Sequence, residues 1–125
     1  MEKDFSRLPD GELELMQVLW GMEPPVERSS LEAAMNKRRP LASTTILTML
    51  SRLAEKGFLG VKKQGKSNLY TPLISQREYA AQASRSFLDR MFGGSLSGFA
   101  SALNDSGVSK EELSELRTLL EKGEL

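Results

Sequence analysis

Ser43-Thr44-Thr45-Ile46-Leu47-Thr48-Met49-Leu50-Ser51-Arg52-Leu53-Ala54-Glu55-Lys56-Gly57 is the stretch on which the fold of this chain turns. Ile46, Met49, Leu50 and Leu53 recur at helical spacing and make one apolar stripe. Thr44, Thr48 and Arg52 follow one another at steps of four and line up as a polar ridge, with Thr45 on a further outward face. The spacing predicts a helix from Ser43 to Lys56, closed by Gly57 as C-cap. After Gly57 the period changes. Phe58-Leu59-Gly60-Val61 reads as a strand, Lys62-Lys63-Gln64-Gly65-Lys66 as a basic turn, and Asn68-Leu69-Tyr70-Thr71-Pro72-Leu73 as the returning strand, with Pro72 near its end. A helix with a polar face of short side chains therefore runs straight into a hairpin with a positive tip.

Working outward toward the N-terminus, Pro40 stops a short helix that Ser29 or Ser30 caps and whose inner face is Leu31, Ala34 and Met35. The basic run Lys37-Arg38-Arg39 falls at its end, where cations suit the helix dipole. Before it, Asp10 reads as the N-cap of a first helix with Leu13, Met16 and Trp20 on one face, ended by Gly21 and Pro24-Pro25. Toward the C-terminus, Ser75-Gln76-Arg77-Glu78 is a capping box that opens a helix carrying Tyr79, Ala80, Ala83, Phe87, Leu88, Met91 and Phe92 up to a Gly93-Gly94 break. Leu96, Phe99, Ala100 and Leu103 mark a further helical piece, and Asn104-Asp105-Ser106-Gly107 a loop. Ser109-Lys110-Glu111-Glu112 is a second capping box, opening a last helix with Leu113, Leu116, Leu119 and Leu120.

Three short helices followed by a basic-tipped hairpin is the layout of a winged helix-turn-helix. The expected class is mainly α (an α+β winged helix-turn-helix) with a C-terminal helical dimerisation region: residues 1–74 form a DNA-binding domain, and residues 75–125 a helical dimerisation domain. A groove-entering helix needs an apolar face on its own core and short polar side chains outward, and the third helix has both. The candidate DNA contacts are Ser43, Thr44, Thr45, Thr48 and Arg52, with Lys62, Lys63 and Lys66 of the wing on the neighbouring backbone.

The chain has 125 residues, enough for one domain with an appendage, and 17 basic against 17 acidic residues. That neutrality hides a strongly uneven distribution. Residues 1–27 hold two bases against seven acids, residues 28–66 nine bases against two acids, and residues 67–125 six bases against eight acids. The central block, net +7, coincides with the candidate DNA face, and local density rather than the sum attracts phosphates. Each feature also has an ordinary explanation. A threonine face is often only solvated, wing lysines keep a strand edge unpaired, and a basic run is often just a helix end. The order of all three within some 30 residues favours nucleic acid.

The chain holds no cysteine and no histidine, which excludes a disulfide framework and thiolate metal sites and removes the commonest general base. Glu111 and Glu112 are explained by their capping box. No enzyme activity, cofactor or metal site is expected. The charged start Met1-Glu2-Lys3-Asp4-Phe5 lacks a signal-peptide core, and no apolar run reaches membrane-spanning length, so the expected place is the cytoplasm without membrane insertion. The thin amphipathic helices after Ser75 either fold back on the winged core or pair with a second copy. The homodimer reading puts Tyr79, Phe87, Met91, Phe92, Phe99, Leu103, Leu113, Leu116 and Leu120 on the dimerisation face and sets two recognition helices about 34 Å apart on a palindrome. A winged-helix protein-interaction module is the alternative.

Leu13-Glu14-Leu15-Met16-Gln17-Val18-Leu19-Trp20, Ser43 to Gly57, and the long helix, Gly-Gly break and Leu113-Ser114-Glu115-Leu116 of the tail together resemble the penicillinase-repressor family of BlaI/MecI-type regulators over nearly the whole chain. The resemblance implies homodimeric repressors on palindromic operators in double-stranded promoter DNA, with contacts at Thr44, Thr45, Thr48 and Arg52. Some members carry arginine where this chain has Leu47, which implies a different operator. It also implies release through a membrane sensor-protease system that triggers cleavage at an Asn-Phe bond; the corresponding stretch here reads Ser101-Ala102. The copper-sensing branch uses a Cys-x-Cys tail, which a chain without cysteine lacks.

Overall fold

A computed structural model describes residues 7–123; the charged start Met1–Phe5, with its Lys3, lies outside the described residues. The elements in order are α1 (Asp10–Trp20), β1 (Val26–Glu27), α2 (Arg28–Arg38), α3 (Ser43–Glu55), β2 (Leu59–Gln64), β3 (Ser67–Pro72), α4 (Gln76–Phe92), α5 (Leu96–Asp105) and α6 (Lys110–Lys122). The chain divides into two compact units, one ending at Ala83 and the other beginning at Ser84.

In the first unit, α1, α2 and α3 surround one core closed by a three-stranded antiparallel sheet of order β1-β3-β2. The expected stripe of α3 is its buried face: Ile46, Leu50 and Leu53 have essentially no exposure, and Met49 little. They meet Leu15, Met16 and Leu19 of α1, Leu31 and Met35 of α2, and Phe58 just after the helix. Truncating such a fully buried side chain typically costs about 2–5 kcal/mol, so this stripe fixes the face α3 turns outward. Gly57 has φ +83, the left-handed conformation that lets the chain turn from α3 into β2, and the Phe58 amide donates back to the Leu53 carbonyl at 2.9 Å.

Several local expectations need correction. Pro9, not Asp10, is the N-cap of α1; Asp10 sits in the first turn, where its charge suits the helix dipole. Leu15, Met16 and Leu19 form the buried face of α1, while Leu13 and Trp20 pack from its margins. Glu27, not Ser29 or Ser30, precedes α2, because the backbone there is already paired as β1, with Val26 opposite Tyr70 and Glu27 opposite Leu69. The basic turn of the hairpin is shorter than expected. Lys62 and Lys63 belong to β2, opposite Leu69 and Asn68, and only Gly65 and Lys66 turn the chain. Gly65 has φ +63, the positive φ that two-residue hairpin turns require. Asn104 and Asp105 end α5 rather than opening a loop.

Tyr79 departs furthest from its expected place. It belongs to the core of the first unit, 8% exposed. Its hydroxyl accepts from the Leu8 amide at 2.9 Å, and its ring stands edge-on to Phe58 with centroids 5.6 Å apart. Trp20 packs beside it at 6.0 Å and donates its indole N–H to the Ile74 carbonyl at 2.9 Å. These contacts carry the first unit past Ile74 into the opening turns of α4. Ser75 and Glu78 cap that helix reciprocally, the Ser75 amide donating to Glu78 Oε1 (2.9 Å) and the Glu78 amide to Ser75 Oγ (3.0 Å).

In the second unit α4 ends at Gly93-Gly94, both at positive φ, and α5 starts on Ser95, whose hydroxyl accepts from the Gly98 amide. Phe87, Phe92 and Phe99 pack as three edge-to-face pairs, with centroids 5.8–6.5 Å apart. The capping box of α6 forms as expected: Ser109 Oγ accepts from the Glu112 amide at 3.0 Å, and the Ser109 amide donates to Glu112 Oε1 at 2.9 Å. That backbone donor, with the Ser109 hydroxyl second, holds the Glu112 carboxyl below its ordinary value.

Candidate nucleic-acid interface

Pro40 ends α2, and the Leu41 amide donates to Asn36 Oδ1 at 3.1 Å, which sets the turn that delivers Ser43 to the surface. Ala42, extended, precedes α3 and offers no side-chain cap. The positive end of the helix dipole is therefore left to whatever approaches from outside. Ser43, Thr44, Leu47, Thr48, Ser51 and Arg52 are all exposed, as is Thr45 at the flank. Thr48 donates its hydroxyl to the Thr44 carbonyl at 2.9 Å, a bond the threonine ridge closes on itself.

Two clefts flank this helix. One, of about 390 Å³, brings the start of α3 against the hairpin and the start of α2; Ser43, Arg28, Ser29, Lys66, Ser67 and Asn68 line it together with Glu27 and Glu32. The other, of about 360 Å³, runs along the α1 side and is lined by Thr45, Thr48 and Arg52 opposite Pro9, Gly11 and Glu12. The expected residues thus fall into three groups. Ser43 and Lys66 meet in the first cleft. Thr45, Thr48 and Arg52 share the second. Thr44 stands on the ridge between them. Lys62 and Lys63 do not act as a pair at the tip: adjacent residues of a strand face opposite sides. Lys63 shares the side of Asn68 and Tyr70, and Lys62 that of Leu69.

The nine bases of the central block are not equally available. Arg28 pairs with Glu32 at 3.1 Å within α2. Glu14 of α1 takes Arg39 at 2.8 Å and Arg38 at 4.0 Å, so two of the three run-end cations face an acid. Lys56 reaches Glu12 at 2.5 Å. Among the described residues Lys37, Arg52, Lys62, Lys63 and Lys66 have no carboxylate within ion-pair distance, and four of those five are candidate contacts read from the sequence. Arg28, Ser29, Ser67 and Asn68 were not singled out there. Their meeting depends on the sheet register, which brings β1 and the wing together and leaves no periodic trace in the sequence.

On the second unit, Met91, Leu116 and Leu120 are exposed, Leu120 at 61%, while Leu103 and Leu113 are half-buried. Leu103, Leu113, Leu116 and Leu120 line an apolar groove of about 380 Å³ between α5 and α6, together with Ala100, Arg117 and Glu121. Among the described residues no group of acidic side chains is placed to hold a metal ion, and no helix is long and apolar enough to cross a membrane.

Three helices, a capless third helix with its polar face outward, and a wing beside it define a winged helix-turn-helix protein. The family model for the penicillinase repressor matches residues 8–122, and the chain belongs to that family. It is 34% identical to the Penicillinase repressor of Bacillus licheniformis over 121 residues, 96% of this chain and 94% of that protein. It is 24% identical to the Methicillin resistance regulatory protein MecI of Staphylococcus aureus (strain N315) over 123 residues, 98% of this chain and 99% of that one. Among solved structures it is similar to the DNA-binding domain of the repressor BlaI, with TM-score 0.55 and 34% identity over 63% of this chain and 94% of that one. It is similar, with TM-score 0.52 and the same identity and coverage, to the monomeric form of Bacillus licheniformis BlaI in complex with the blaP half-operator.

Proposed function

We propose that this chain is a transcriptional repressor that binds a palindromic operator in promoter DNA as a homodimer. The observation that carries the reading is the outward face of α3, capless at its start and bordered by two clefts that hold Arg52 of the helix and Lys66 of the hairpin, both without an ion-pair partner among the described residues. A helix start presents amide donors to a phosphate, and short side chains let the backbone approach base edges closely. The kinship with BlaI, solved on a half-operator, supports the same docking.

In this reading residues 1–74 bind DNA, through Ser43, Thr44, Thr45, Thr48, Arg52, Lys62, Lys63 and Lys66. Residues 75–125 join two copies, through Phe87, Met91, Leu103, Leu113, Leu116 and Leu120, with Phe92 and Phe99 packed behind that face. The protein acts in the cytoplasm by binding alone, without catalysis. A membrane sensor-protease system is the antirepressor this reading allows, but Ser101-Ala102 stands where the family's Asn-Phe bond is expected, so release by cleavage there is not part of it.

The test is equilibrium binding of the full chain to a palindromic promoter duplex and to a scrambled one across a salt series. Specific binding is expected to exceed the scrambled value by at least about 10³, with log K falling about 0.9 per phosphate neutralised. Weak, equal binding to both duplexes overturns the reading.

A further inference from the structure

The outward patch of α3 made by Thr44, Leu47, Thr48 and Ser51 follows helical spacing, so these four side chains are presented together. None of them is a long polar side chain. From Ser43 to Ser51 the helix offers no arginine, lysine, asparagine or glutamine, the residues that read guanine or adenine through paired hydrogen bonds. Leu47 stands out of the core, 38% exposed, in the middle of a face otherwise turned to water. Thr48 gives its hydroxyl proton to the Thr44 carbonyl at 2.9 Å, so toward a ligand it keeps its methyl and an oxygen that can accept but not donate. Arg52, the first long donor, lies in the cleft on the α1 side rather than at the centre of the patch.

We infer that this helix reads its site by apolar contact, with Leu47 and the Thr48 methyl meeting the 5-methyl groups of thymines in the major groove. The inference rests on the DNA-binding reading above and adds the chemical feature recognised. Each pyrimidine methyl in the major groove is a methyl-sized apolar group, and removing it from water contributes a factor of about three to five in affinity. Leu47 is the specificity-determining residue, and the recognised positions of the operator are thymines opposite it.

The experiment uses the full chain and a duplex it selects from a random pool. The duplex is resynthesised with deoxyuridine for thymidine, one position at a time, which removes only the methyl. At one or two positions in each half-site affinity is expected to fall about three- to fivefold, and at the remaining thymines to stay unchanged. At those positions 5-methylcytosine is expected to bind better than cytosine by the same factor. In Leu47→Ala the uridine penalty is expected to shrink toward none at the thymine facing Leu47 and to persist at one facing Thr48, a position-selective outcome that a merely structural role would not give. A selected duplex that binds tightly yet tolerates uridine everywhere overturns the inference and leaves DNA binding standing. So does a uridine penalty that Leu47→Ala leaves intact at every position. If selection yields no duplex bound above the random pool, the DNA-binding reading falls, and this one with it.

Discussion

Glu12 carries a charge into a core otherwise made of aliphatic, methionine and aromatic side chains; the residue is 3% exposed. It is tolerated because Lys56 reaches it from the end of α3 at 2.5 Å and keeps part of its own side chain in water. The pair therefore ties α1 to the far end of the helix that carries the candidate contacts. Glu12→Ala removes a charge-assisted hydrogen bond and leaves Lys56 to turn outward, so unfolding is expected about 1.5–3 kcal/mol earlier by chemical denaturation. Lys56→Met is expected to cost more, since it strands the buried carboxylate. Arg52 is the opposite kind of residue, an exposed cation with no carboxylate within ion-pair distance among the described residues, although Glu12 lines the same cleft. Arg52→Ala is expected to leave stability within about 0.5 kcal/mol. It is expected to weaken binding to every duplex alike and lower the salt slope by about 0.9. A salt series on the variant checks both halves of that statement.

At the scale of elements, the wing and the α6 cap make separate predictions. Gly65 turns the hairpin at φ +63, a conformation that costs other residues about 1–2 kcal/mol. Gly65→Ala is expected to loosen the tip that places Lys66 in the first cleft, weakening DNA binding while the core transition moves by no more than that amount. The cap of α6 titrates. Because the folded Glu112 carboxyl sits below its ordinary value, the cap contributes stability above pH 4.5 and loses it as the pH falls through the depressed value. In Ser109→Ala the Glu112 midpoint, followed by NMR, is expected to rise only part of the way to its ordinary value, since the hydroxyl is lost while the backbone amide of residue 109 remains. These caps, the α3 stripe and the Gly57 and Gly93-Gly94 breaks were legible because each is a local rule, fixed by residues three or four apart. The strand β1 was not, because two residues, Val26 and Glu27, have no period; only pairing with Leu69 and Tyr70 makes them a strand. The hairpin was read as too short for a related reason: Lys62 and Lys63 look like turn residues by composition, and the register with Leu69 and Asn68 overrides that. Tyr79 was misread because helical spacing places it on the same side as Phe87, whereas Leu8, Trp20 and Phe58 claim its ring.

At the scale of the whole molecule, the candidate site is half a reader. One α3 covers one major-groove face, and a palindrome asks for two, held at a fixed separation. The second unit has the surface for that task. Its aromatic trio packs edge to face, with Phe87 still 41% exposed, while Leu116 and Leu120 stay exposed along the apolar groove between α5 and α6. This separates two substitutions that the sequence alone treats as equivalent. Phe87→Asp puts a charge at a side chain that is 41% exposed yet also packs on Phe92 and Phe99, so it is expected to disturb both the ring packing and the association, confounding an assay of association alone. Leu120→Asp puts it where the side chain is 61% exposed, so the helices are expected to persist. By sedimentation, Leu120→Asp is expected to shift the protein from dimer to monomer at concentrations where the unaltered chain stays dimeric, with helical circular dichroism unchanged. Affinity for the full palindrome is then expected to fall toward that for a half-site, because the second helix no longer arrives tethered at high effective concentration. A monomer that keeps full palindrome affinity breaks the link between the two units, and an intact dimer moves the interface away from the α5–α6 groove.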